Sequence, residues 1–276
     1  MKIALRSSTP NRLEFVIEDV TTAFVNALRR TLQAEVPKLA IEDVTIYDNT
    51  SALFDEMVAH RLGLLPIPTD LAAFNAREGC PSCGGEGCAS CTVLYTLSKE
   101  GPAMVTSGDL NPTDPKFRIA DERIPIVKLL EGQRVMLEAA AVLGTGTRHA
   151  KWNPVTACGY REIGRVQIGN ASLPDAVAQH IRDTAPEGSV EVVDGRLKVV
   201  DEEKAYRYLR AIQDVHALEG VKLSTEDNKF VFFLETDGAL TAKDALQRAI
   251  HILMDKLKQV ENDASDLKPK ASPVLN

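Results

Sequence analysis

The chain has 276 residues, of which 44% are hydrophobic and 26% charged, and its formal net charge is -7. That length points to about two domains of ordinary globular composition, which excludes a disordered chain. No apolar run approaches the roughly 18 residues of a spanning helix, and an acidic chain lacks the clustered Lys and Arg that neutralise phosphates. The expectations are therefore a cytoplasmic protein with no membrane contact, meeting DNA only through partners.

Residues 1–8 read as a strand rather than a signal peptide. In residues 12–18, Leu13, Phe15 and Ile17 alternate with polar positions, the pattern of a half-buried strand. The run FVNALRRTLQAEV (residues 24–36) is an amphipathic helix stopped by Pro37, which has no backbone donor and clashes with the preceding turn. Phe24, Leu28 and Leu32 share one face at four-residue spacing, with Asn26, Arg29 and Arg30 beside it. A strand follows over residues 39–47. Residues 49–152 mix short strands (92–98 and 134–143) with Pro- and Gly-rich connections, the pattern of an inserted, mostly β domain.

Within that insert, CPSCG (80–84) and CASC (88–91) give C-x2-C-x4-C-x2-C. Two residues between thiols let both sulfurs of a knuckle face one ion, and glycine allows the tight turn. Cys80, Cys83, Cys88 and Cys91 suit tetrahedral zinc. An iron-sulfur cluster fits less well, because its runs usually place the third cysteine at C-x2-C-x2-C spacing before a proline. Four thiolates would close the shell, leaving no position for a catalytic water. Cys158 stands apart and reads as a small buried hydrophobe.

Towards the end, residues 229–235 form a strand signal, and Thr241 with Asp244 resembles a capping box. The following helix carries Ala242, Leu246, Ile250, Leu253, Leu257 and Val260 at steps of three or four, widened by Ala245, Ala249 and Ile252. That seam suits either a partner helix or the chain's own sheet. Residues 266–276 read as a flexible tail.

The first helix run, DEMVAHRLGLLPI (55–67), IPIVKL (124–129), HAKW (149–152), LETDG (234–238) and DALQRA (244–249) occur in collinear order. Together they resemble the alpha/D family of RNA polymerase assembly subunits, and the archaeal members best. The resemblance implies an α+β fold. A discontinuous αβ dimerisation domain (1–48 and 222–265) would enclose an inserted β-rich domain (49–160), with the four-cysteine loop at 80–91, and a ferredoxin-like α+β insertion (166–221). It implies a non-catalytic subunit that pairs with subunit L to form the platform on which the catalytic subunits assemble. Phe24, Leu28, Leu32, Leu246, Ile250, Leu253 and Leu257 would meet subunit L. Asn26, Arg29, Arg30, His60 and Arg61 would either dock the second-largest subunit or serve as satisfied intrachain groups. Small subunits N and P would be further neighbours.

In the ferredoxin-like segment the family's cluster ligands would fall at Ala185 and near Asp175, Ala178, Ile181 and Ala205, none of them cysteine, so an iron-sulfur cluster is not expected there. Two other readings are a stand-alone zinc enzyme and a degenerate ferredoxin-type redox protein. Neither H-x-E, H-E-x-x-H nor a D-x-D pair is present to support catalysis here.

Overall fold

The computed structural model describes residues 1–169, 173–214, 218 and 220–265; the expected tail lies outside the described residues. The fold is mixed α+β, with five α-helices among the described residues. The chain divides into two compact units, one of residues 1–6, 15–25 and 160–232, the other of residues 7–14, 26–159 and 233–276.

The larger unit is built on an antiparallel sheet of β3 (Lys38–Asn49), β8 (Arg134–Gly144), β4 (Thr92–Glu100) and the short β6 (Asn111–Pro112), in the order β3-β8-β4-β6. β5 (Ala103–Thr106) and β7 (Pro125–Leu129) form a separate ribbon. Alternation along β4 and β8 turns Val93, Tyr95, Leu97, Val135, Leu137, Ala139 and Ala141 into one core, and on the other face Leu94, Thr96, Met136 and Glu138 are exposed while Val142 is buried with Ala40 and Trp152. The helix α2 (Asp55–Gly63) adds Val58 and Leu62 to that core. α2 is not among the expected elements: two buried apolar side chains, Val58 and Leu62, are too few to write a clear 3.6-residue period, although Asp55 and Glu56 suit the positive end of its dipole.

β3 is the strand that the resemblance assigns to the terminal αβ domain. It pairs along its length with β8, from Lys38 opposite Gly144 to Asn49 opposite Val135, so it joins the sheet of the inserted region. The register slips by one residue at Glu42 and again at Tyr47. Such bulges re-aim a side chain, and Glu42 there receives Arg148 and Lys151. Gly144 is required where the strand ends, since a Cβ would lie 2.4 Å from the Trp152 ring.

A second sheet, β1 (Lys2–Ser8), β2 (Arg12–Glu18), β12 (Val221–Thr236) and β9 (Val155–Ile168), in the order β1-β2-β12-β9, contributes residues to both units. α1 (Thr22–Ala34) follows β2, and α5 (Ala242–Ser265) follows β12. Thr241 precedes α5, and its hydroxyl accepts the Asp244 N–H at 3.1 Å, one half of the expected capping box, and donates to the Asp244 carboxylate at 2.6 Å.

In the smaller unit, α3 (Asp175–Thr184) and α4 (Glu202–Ile212) flank the hairpin of β10 (Val190–Val193) and β11 (Arg196–Val199). Asp194 and Gly195, both at positive φ, make the two-residue turn, as Asp-Gly does in a type I′ hairpin. Ala178, Ile181 and Ala205, where cluster ligands would fall, are at most 2% exposed and pack with Val177, Leu197 and Leu209 as an apolar core.

Candidate metal centre and assembly surface

The four clustered cysteines come together. Their sulfurs lie within 4.8 Å of one another, with Cys80 3.8 Å from Cys88, Cys83 3.7 Å from Cys91, and Cys88 3.9 Å from Cys91. A tetrahedron with metal–sulfur bonds of about 2.3 Å has edges of about 3.8 Å. All four cysteines are free thiols. Cys80 and Cys91 are buried, and Cys83 and Cys88 are half-exposed. This donor set can hold a metal ion and fits zinc.

Backbone geometry makes the cluster. A short 3-10 turn, Arg77–Gly79, delivers Cys80, and Gly84, Gly85 and Gly87 adopt positive φ in the spacer. The Gly87 N–H donates to the Cys83 sulfur and the Cys88 N–H to the Cys91 sulfur, each at 3.3 Å. Hydrogen bonds from the Gly87 and Gly85 N–H groups bring the Cys83 thiol down to about 6. Cys88 accepts a bond from Ser90 that lowers its pKa, yet burial and the neighbouring thiols carry it up to about 11. A thiol that ionises easily beside one that does not is what crowded sulfurs produce before a cation shares their charge. Cys158, partly buried, is pushed up to about 12 by burial, although the Arg29 charge opposes this.

The loop is fastened to β3 by charged side chains. Arg77 pairs with Asp43 at 2.7 Å. Arg148 pairs with Glu42 and with Glu78, and Lys151 pairs with Glu42. The cations of Arg148 and Lys151 also lie over the Trp152 ring, at 5.0 and 4.5 Å from its centre. These tethers join residues 34 to 109 apart in sequence, and no local motif announces them.

The seven apolar positions expected at a subunit interface divide. Leu28 and Leu32 are 3% and 0% exposed within their own chain, so they are core side chains. Phe24 is 40% exposed. On α5 the small side chains Ala242, Ala245 and Ala249 turn inward, because alanine allows close approach. Leu246 and Leu253 are half-buried. Ile250 and Leu257 stand in solvent, joined there by Met254 and Val260. Met254 is not among the expected interface positions, although it lies four residues beyond Ile250.

The five polar positions do not form one cluster. Arg29 donates to Asn26 at 3.0 and 3.2 Å and to Gln33 at 2.8 Å along α1; Arg30 on the same helix is exposed. His60 and Arg61 lie on α2, where Arg61 donates to the Pro125 carbonyl at 2.9 Å. His60 lines a shallow cleft with Glu42, His149 and Lys151. Among the described residues no other group of His, Cys, Asp or Glu is arranged to hold a metal, and no helix is long and apolar enough to cross a membrane.

The model of the RNA polymerase Rpb3/Rpb11 dimerisation domain matches residues 14–257. The DNA-directed RNA polymerase subunit Rpo3 of Methanosarcina acetivorans is 39% identical over 261 residues, covering 94% of this chain and 97% of the relative. Rpo3 of Methanothermobacter thermautotrophicus is 39% identical with the same coverage. Rpo3 of Thermoplasma volcanium is 37% identical over 272 residues, 93% of this chain and 96% of its own. With nearly its whole length matched in this way, the chain belongs to the RNA polymerase Rpb3/Rpb11 dimerisation domain family.

Proposed function

We propose that the chain is a non-catalytic assembly subunit of an archaeal DNA-directed RNA polymerase in the cytoplasm. It pairs with subunit L, and the heterodimer forms the platform on which the large catalytic subunits assemble. The observation that carries this reading is α5: it spends its alanines on its own chain and leaves Ile250, Met254, Leu257 and Val260 exposed as one stripe. A run of apolar side chains at that spacing suits a partner helix, in a chain whose family is defined by dimerisation. Leu246 and Leu253 extend that surface along α5, and Phe24 on α1, 40% exposed, is a further residue for the same partner. Leu28 and Leu32, buried within their own chain, are left out of the surface.

Arg30, His60 and Arg61, with the Arg29–Asn26 pair, are the polar groups available to the second-largest subunit, and the inserted domain faces the small subunits N and P. DNA is met only through the assembled complex. The cysteine loop holds structural zinc, which fixes the fold of residues 80–91; four thiolates leave no open coordination position for hydrolytic chemistry.

Co-expression with subunit L, followed by light-scattering mass and elemental analysis, tests the proposal. A one-to-one complex with about one zinc and no iron is expected. A monomer indifferent to subunit L refutes the function. Iron with visible absorbance refutes the zinc assignment alone.

A further inference from the structure

Only Gly84, Gly85, Glu86 and Gly87 separate the two knuckles, and the one side chain among them, that of Glu86, is exposed. Such a spacer has maximal freedom in the unfolded chain and nothing of its own to pack. It is held from outside by Arg77. The guanidinium donates through Nε to the Gly85 carbonyl at 3.2 Å and through Nη2 to the Glu86 carbonyl at 3.4 Å. Its third arm, Nη1, reaches Asp43 on β3 at 2.7 Å. The Arg77 carbonyl meanwhile accepts the Cys80 N–H at 3.3 Å, and a Cβ on Gly85 would lie 3.4 Å from that same oxygen.

We propose that Arg77 is the positioning residue of the cysteine loop: one planar fork, anchored to the sheet by Asp43, fixes the two spacer carbonyls and so sets the second knuckle against the first. This rests on the zinc reading above. Two physical effects follow. The fork removes spacer conformations in which Cys88 and Cys91 point away from Cys80 and Cys83, so less ordering remains for the metal to drive. A permanent cation beside four thiolates also offsets the net double negative charge they retain around a divalent ion. Lysine supplies the charge without the fork, so the two effects are separable.

The test is zinc affinity of the full chain by competition with a chromophoric chelator, for the parent, Arg77→Met, Arg77→Lys and Asp43→Asn. Loss of an outer-shell partner costs about 10–100-fold in metal affinity, and that is expected for Arg77→Met. Arg77→Lys should fall between it and the parent, and Asp43→Asn should lose several-fold. Unfolding midpoints of the zinc-free parent and zinc-free Arg77→Met should coincide, because the residue acts on the loop and not on the sheet.

Parental affinity in Arg77→Met overturns the proposal, as does a lower zinc-free midpoint with affinity unchanged. If Arg77→Met does not fold, parental affinity in both Arg77→Lys and Asp43→Asn overturns it equally. A parent that binds no zinc removes the metal reading itself, a different failure from a zinc-loaded parent whose Arg77 variants match it.

Discussion

Leu257 offers a sharp test of the α5 surface, because it is 70% exposed in the isolated chain. Fully burying a leucine is worth about 1.5–3 kcal/mol, so covering the exposed part on association contributes about 1.5 kcal/mol. At about 1.4 kcal/mol per tenfold in Kd, Leu257→Ala should weaken pairing with the proposed partner, subunit L, by roughly tenfold. Leu257→Asp adds the cost of burying an unpaired charge, which is several kcal/mol more, and should leave no complex at micromolar concentrations. Folding should hardly change, because an exposed position away from special features typically stays within about 0.5 kcal/mol on substitution. The exposed Gln259→Ala, about 200° around the helix from Leu257, is the control. Titration calorimetry reads the affinity, and circular dichroism confirms the fold. A stoichiometric Leu257→Asp complex at parental affinity would refute the reasoning, since the stripe would then face solvent in the assembly as well.

Three further outcomes are expected. Lys38 is only 3% exposed and bonds to Asp237, itself 16% exposed, so Lys38→Met should cost about 3–5 kcal/mol in urea unfolding by stranding a carboxylate; a loss under about 1 kcal/mol would show that water reaches the pair. Burial pushes the Glu203 carboxyl up, but the hydrogen bond from Arg6, 2.6 Å away, and the charge of Arg161 outweigh it and hold the group below its usual value. A depressed carboxylate stabilises the fold above its unfolded pKa of about 4.3 and loses that contribution as pH falls through the folded value. Glu203→Gln should therefore be about 1 kcal/mol or less below the parent at pH 7, with the gap closing under acid; a gap that is constant with pH would sink this account. Stripping metal with a chelator should raise amide exchange across residues 80–91 while β4 and β8 stay protected, and unchanged exchange in the loop would mean that its tethers suffice without an ion.

Short-range order was legible in the sequence. β2, α1, β4, β8 and α5 fall where alternation, helical spacing, Pro37 and the Thr241 cap place them, because those signals depend on neighbours within one or two turns. The cysteine spacing likewise named the four residues whose sulfurs the fold gathers. What was not legible depends on pairs far apart in the chain. The periodicity of α1 could not say that Leu28 and Leu32 face their own core while Phe24 does not, nor could that of α5 separate Ala245 and Ala249 from Ile250 and Leu257. β3 joined the sheet of the inserted region because its partner, β8, lies about a hundred residues on. Arg77 acquired its place only when β3 brought Asp43 beside the loop. A side-chain period fixes which residues share a face, but only tertiary pairing decides which face is covered, and that is what separates core from surface here.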